Sequence, residues 1–305
     1  MANIIELYSK LIGLVLVGLI IGRTMPAIVP IRLGQFLFWV GVPISIVNFL
    51  HKADLSGPIW IAPAIAYIAI LLGAFLAWVS IRWQAHRTNT VPPIPTQGSF
   101  VLAAMVGNTG YLGYPVTLAL VGREYFAWAI FYDLLGTTLG AYGLGVALAA
   151  RFSGTLQNRR HMIQAITINP ALWSFGFGLL FRGVAIAPPV EFCLETLAWS
   201  AVALSLMLIG MRLARLNFRH SLKWAAISLG IKMLIIPLIL GSTLSLFGIT
   251  GATAEVIVLQ MAMPPAFATL VIAETFNLDR DLTVTALAMG MIVLLVTIPV
   301  WLWLF

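Results

Sequence analysis

The sequence predicts an all-α polytopic membrane protein of ten transmembrane helices, built as two inverted five-helix repeats. Three observations lead there. Of 305 residues, 61% are hydrophobic and only 9% charged, and the mean hydropathy is +1.02, whereas a soluble domain carries about 25% charged residues. The apolar residues fall into ten runs, each near the roughly 20 residues a helix needs to cross the hydrocarbon core. Two of those runs, five apart, are interrupted by helix breakers at corresponding places.

The runs are 4–22, 33–50, 58–81, 97–122, 124–150, 166–186, 189–212, 221–247, 252–275 and 282–304. The opening "MANIIELYSKLIGLVLVGLIIGR" lacks a basic leader and a small-residue cleavage pattern, so it reads as a retained first span. The longest connections, around "QAHRTNTVPPIP" and "RFSGTLQNRRH", are polar links rather than domains. Residues 1–152 form the first repeat, 153–165 a cytoplasmic connection and 166–305 the second repeat.

Lysine and arginine number 17 against 10 acids. They lie in short breaks between apolar runs rather than on a polar face, which excludes nucleic acid as a partner. Twelve fall in one set of loops, among them Arg82, Arg87, Arg151 and Arg212; four fall opposite (Lys10, Lys52, Arg123 and Arg182), and Lys232 lies inside a span. The richer side is expected to be cytoplasmic, so both termini should lie outside the cell membrane. The single cysteine, Cys193, excludes an internal disulfide and a multi-cysteine metal site. His51, His86, His161 and His220 fall between the runs, and neither H-E-x-x-H nor G-x-x-x-x-G-K-[ST] occurs. No metal, cofactor, intramembrane protease or ATPase is therefore expected.

The fourth run breaks at "GNTGYLGYP", residues 107–115, and the ninth at "QMAMPPAFAT", residues 260–269. Proline removes a backbone donor and glycine weakens helix. In hydrocarbon an unwound segment persists only where it is buried in protein or lines a wet cavity. Five spans separate the two breaks, so the two units must have opposite topology. Paired breaks in inverted repeats point to a carrier's binding site. Half-helix N-termini there would offer free N–H groups and a positive dipole end to an anion. The candidate substrate-binding residues are Asn108, Thr109, Gly110, Tyr111, Gly113 and Pro115 from the first break. Gln260, Met263, Pro264 and Pro265 come from the second. Pro43 and Asn48 of the second span are candidates for the opposite wall.

"GNTGYLGYPVTLALVG" (107–122) and "MAMPPAFATLVIAETFNLD" (261–279) resemble the fourth- and ninth-helix signatures of the auxin efflux carrier family. "LSLMLIGMRL" (204–213) and "TIPVWLWL" (297–304) resemble its seventh and last helices less specifically. The resemblance implies that helices 4 and 9 cross at their breaks. It also implies a scaffold of helices 1, 2, 6 and 7, against which helices 3–5 and 8–10 move as an elevator. Plant members of the family carry indole-acetate, and bacterial ones are assigned malate, malonate or similar acids. About fifteen residues join the halves here, which fits a short bacterial-type permease.

Two ionisable residues fall deep in spans: Asp133 in the fifth and Lys232 in the eighth, each about 15 Å from its nearer end. Such charges are functional candidates. They are expected either to pair and hold the moving unit together or to exchange a proton or ion during transport. Glu274, at the end of the ninth run, reads as a capping or snorkelling residue. The function expected is secondary transport of a small organic anion. The alternative is a sodium-coupled symporter or cation/proton antiporter of related fold. The partners expected are the lipid bilayer, the anion, a proton or sodium ion for coupling, and a second copy of the chain.

Overall fold

The computed structural model of the chain describes residues 2–53, 55, 58–153, 167–214 and 222–305. Among them the regular structure is helical throughout. In chain order the helices are α1 (Ala2–Thr24), α2 (Ile28–His51), α3 (Ile61–Thr88), α4 (Ile94–Met105), α5 (Tyr114–Leu120), α6 (Phe126–Ser153), α7 (Pro170–Leu180), α8 (Pro188–Leu213), α9 (Leu222–Phe247), α10 (Ala252–Met261), α11 (Phe267–Thr275) and α12 (Arg280–Leu304). Six of them, α2, α3, α6, α8, α9 and α12, are long and apolar enough to cross a membrane.

Those six coincide with the uninterrupted runs at 33–50, 58–81, 124–150, 189–212, 221–247 and 282–304. The run at 166–186 is shortened to the eleven residues of α7. Asn169 caps that helix by accepting the Ala171 N–H at 3.0 Å, and Pro170 sits at its first position. Gly183, with φ of 80°, turns the chain toward α8. The runs at 97–122 and 252–275 each divide into two short helices, α4 with α5 and α10 with α11. His51 and His86 lie in the last turns of α2 and α3 rather than in loops. The connection 153–165, apart from Ser153, lies outside the described residues, as do Arg215, Arg219, His161 and His220.

Pro115 does not break its helix, contrary to the sequence expectation. The chain is non-helical only at 106–108, then runs as a π-helix over Thr109–Gly113 into α5. The same arrangement recurs at Leu37–Gly41 before Pro43 and at Gly230–Ile235 before Pro237. A proline ring lacks the N–H and collides with the carbonyl four residues back, and a widened turn just ahead of it relieves both problems. Pro264 and Pro265, by contrast, lie in the non-helical link between α10 and α11.

Packing is close where side chains are small. Helix α1 lies along α8, and a Cβ on Gly22 would stand 2.6 Å from Met211 Cα. Gly18 and Gly210 make the same approach possible from both helices, the small-residue contact that lets membrane helices gain dispersion energy. Helix α2 packs on α7 and α8, α3 on α4 and α6, and α12 on α9 and α4. Gly22→Val is expected to cost about 1–3 kcal/mol by overpacking. Thermal unfolding in detergent measures it, and an unchanged midpoint would deny this contact its role.

At one end of the molecule Glu195 joins three segments. It accepts from Lys52 Nζ, just past α2, at 3.2 Å and from Arg123, between α5 and α6, at 3.0 Å. Lys52 also meets Glu191 at 2.7 Å, and that hydrogen bond is the main reason its ammonium titrates above the usual lysine range.

A cavity at the crossing of two broken helices

The two breaks meet and satisfy one another. The Asn108 N–H donates to Pro264 O at 2.7 Å, and the Ala266 N–H donates to Val106 O at 3.0 Å, closing an antiparallel bridge between Gly107 and Pro265. Backbone groups that would each cost several kcal/mol unpaired in hydrocarbon are thereby paired across the crossing. The approach leaves no room at Gly107, where a Cβ would lie 2.9 Å from Lys232 Cε and 3.3 Å from Met263 O. Pro264 Cβ would be met at 2.6 Å by a Cβ on Gly290 of α12.

Asp133 and Lys232, for which an ion pair was one of two expectations, have different hydrogen-bond partners. Asp133 Oδ1 accepts from the hydroxyl of Thr109 and, at 3.4 Å, from that of Thr138. Lys232 Nζ donates to Met261 O at 2.8 Å, the last residue of α10. A cation at a helix C-terminus satisfies a free carbonyl and complements the negative end of the dipole. Equal depth in the bilayer put these residues on one level, but the crossing lies between them: Lys232 is beside Gly107, and Asp133 beside Gly110.

A cavity of about 280 Å³ opens in front of the crossing. Its polar end is formed by Asn108, Thr109, Gly110 and Asp133, with Thr137, Thr138 and Tyr142 from α6. Its apolar walls are Phe38 and Val42 of α2, Ala171 of α7, and Phe267, Ala268 and Val271 of α11, with Tyr111 stacked on Phe38 at 6.0 Å between ring centroids. Asn108 is 3% exposed, and its Nδ2 has no protein partner. The helical segments that begin at Thr109 and Phe267 start at the cavity wall. Among the described residues Asp133 is the one charged side chain in the lining. Arg212 of α8 lies just behind the wall, with its guanidinium 3.7 Å from the centroid of Phe267.

Four of the candidates, Asn108, Thr109, Gly110 and Tyr111, line this cavity. The others do not. Gln260 is completely buried behind α5, where Nε2 donates to Thr117 Oγ1 at 3.1 Å, and Gly113 is the residue that makes space for it. Met263 is packed in an apolar cluster with Leu229 and Met291. Pro264 and Pro265 shape the link, while Pro115, Pro43 and Asn48 lie off the cavity wall. Sequence reasoning missed Phe38, Thr137, Thr138, Tyr142, Asn169 and Phe267. The run "GTTLGAYG" (136–143) carried a signal for three of them, because small and polar residues are concentrated there inside an otherwise apolar span.

Pro115→Ala is accordingly expected to leave the break in place, with stability and activity near those of the parent. Replacing both Pro264 and Pro265 by alanine should lower both, since the link would gain two N–H donors and lose its fixed backbone angles. The opposite ranking in paired thermal-unfolding and transport assays would contradict the placement of the breaks.

A family profile described as a membrane transport protein matches residues 31–302. The chain is thus a multi-pass membrane transporter rather than an enzyme. It belongs to the auxin efflux carrier family. It is 33% identical over 251 residues to an uncharacterized transporter of Methanothermobacter thermautotrophicus, covering 82% of this chain and 80% of that protein. It is 29% identical over 186 residues to an uncharacterized transporter of Methanocaldococcus jannaschii, covering 60% of each.

Proposed function

We propose that the chain is a secondary transporter of small organic anions, with its substrate bound in the cavity at the crossing. The observation that carries this reading is the unpartnered, buried Asn108 Nδ2 at the polar end of that cavity, on whose wall helical segments start at Thr109 and Phe267. Those donors suit one carboxylate. The rings of Phe38, Tyr111 and Phe267, and the absence of lysine or arginine among the described residues of the lining, favour an acid with a single carboxylate and an apolar body. A second carboxylate would meet only neutral donors, those of Thr137, Thr138, Tyr142 and Asn169, and no cation among the described residues of the lining.

In this reading the ten spans form two inverted five-span repeats, and α1, α2, α7 and α8 are the scaffold. The remaining helices move as an elevator, carrying the crossing with them. That the cavity is bounded by α2 and α7 on one side and by α6 and α11 on the other fits such sliding. Both termini lie outside the cell membrane, following the lysine and arginine bias. A cation/proton antiporter is the second reading, and the carboxylate of Asp133 in the cavity wall is what favours it.

Counterflow of labelled monocarboxylates, dicarboxylates and monovalent cations into proteoliposomes separates the two. The anion reading expects exchange of at least one monocarboxylate with an apolar body. Exchange confined to cations would overturn it.

A further inference from the structure

We propose that a groove at the ends of α3, α4 and α6, away from the crossing, binds an anionic phospholipid. The groove encloses about 490 Å³, more than the cavity at the crossing. Arg82 of α3 and Arg151 of α6 line it beside Trp78, with Ala74, Val101 and Leu148 forming apolar walls. The Arg82 guanidinium lies over the Trp78 ring, 5.5 Å from its centroid. Stacking holds the planar group in position and leaves its N–H edges free. Among the described residues neither arginine has a carboxylate partner, and no acidic side chain lines the groove.

Position sets the ligand's chemistry. Arg82 is six residues from the end of α3 and Arg151 two from the end of α6, so both guanidinium groups stand at the ends of their spans. Trp78, Trp83 and Arg87 on α3 are the aromatic and basic residues that mark a membrane–water interface. The wall from Ala74 to Ala85 extends about 16 Å along the helix, toward the middle of the bilayer. A ligand that fills the site therefore carries a negatively charged phosphate at one end and an acyl chain at the other. Basic pockets between membrane helices recognise anionic headgroups in this way. A zwitterionic headgroup would bring an ammonium against two guanidinium groups. Inorganic phosphate would satisfy the arginines and leave the apolar wall uncovered.

The test uses purified full-length protein in mixed micelles of equimolar phosphatidylcholine and phosphatidylglycerol, with retained lipid counted by native mass spectrometry. The parent should retain phosphatidylglycerol in preference to phosphatidylcholine, and excess inorganic phosphate should not displace it. The exposed pair changed together, Arg82→Gln with Arg151→Gln, should weaken retention about thirtyfold, because two cationic groups no longer face the phosphate. Ala85→Trp, which keeps both charges and obstructs the wall, should also lose the lipid. Equal retention of the two lipids, or undiminished phosphatidylglycerol in the double variant, would overturn the proposal. Displacement by phosphate alone would overturn it too, by reducing the site to an ion site.

Discussion

Lys232→Met is expected to weaken binding of the proposed anionic substrate on the order of a hundredfold. The ammonium is 2% exposed and is held by Met261 O, with only Gly107 between it and the cavity. A positive charge about 6 Å from a bound carboxylate, at an effective dielectric near 20, contributes about 3 kcal/mol, which is roughly a hundredfold in affinity. Methionine fills the space of the lysine stem, so the fold should persist; the released Met261 carbonyl costs about 1–3 kcal/mol, offset in part because a buried charge has been removed. Titration of the variant with a carboxylate that exchanges in counterflow measures the effect. Affinity equal to the parent's would remove Lys232 from the site's electrostatics.

Asp133→Asn is expected to act in the opposite direction and to be of similar size. An ionised carboxylate in the cavity wall repels an anion about 5 Å away by about 3 kcal/mol at the same dielectric. On the proposed reading, an anionic substrate should therefore bind well only when Asp133 is neutral. The parent's affinity should rise as pH falls, because protonation removes the repulsion, and binding should take up a proton. Asparagine keeps an oxygen for the Thr109 and Thr138 hydroxyls, so the variant should bind tightly at neutral pH and show little pH dependence. Counterflow should survive, whereas accumulation driven by a pH gradient should be lost. A variant with the parent's pH profile would exclude Asp133 from the proposed proton coupling.

The helices were legible because bilayer thickness sets a length that composition alone reveals. The runs at 33–50, 58–81 and 282–304 end within a turn or two of α2, α3 and α12. The breaks were legible only in part. Pro264 and Pro265 mark theirs, but at Pro115 a π-turn absorbs the proline, so the chain opens seven to nine residues earlier, at 106–108. Depth could be counted along each span, but direction around the helix axis could not. For that reason equal depth left pairing of Asp133 with Lys232 open as one of two readings, although each finds a different partner. The same blindness affected Gln260, a polar residue in the last turn of α10 just before the break, which turns away from the cavity to Thr117. Phe267 gave no signal, because what exposes it to the cavity is the restart of helix at Ala266, which depends on the bond to Val106 O in the other half of the chain.

The most direct test compares Asn108, in the first break, with Gln260, in the last turn of α10 before the second, by equilibrium binding of the exchanged carboxylate to purified protein. Asn108→Ala should lose a hydrogen bond to a charged group, about 1.5–3 kcal/mol or ten- to a hundredfold in affinity, with little change in thermal stability. Gln260→Leu should bind like the parent, because its side chain lies behind α5. Should Asn108→Ala bind as the parent does while Gln260→Leu loses affinity, the substrate does not occupy this cavity, and the account is wrong at its centre.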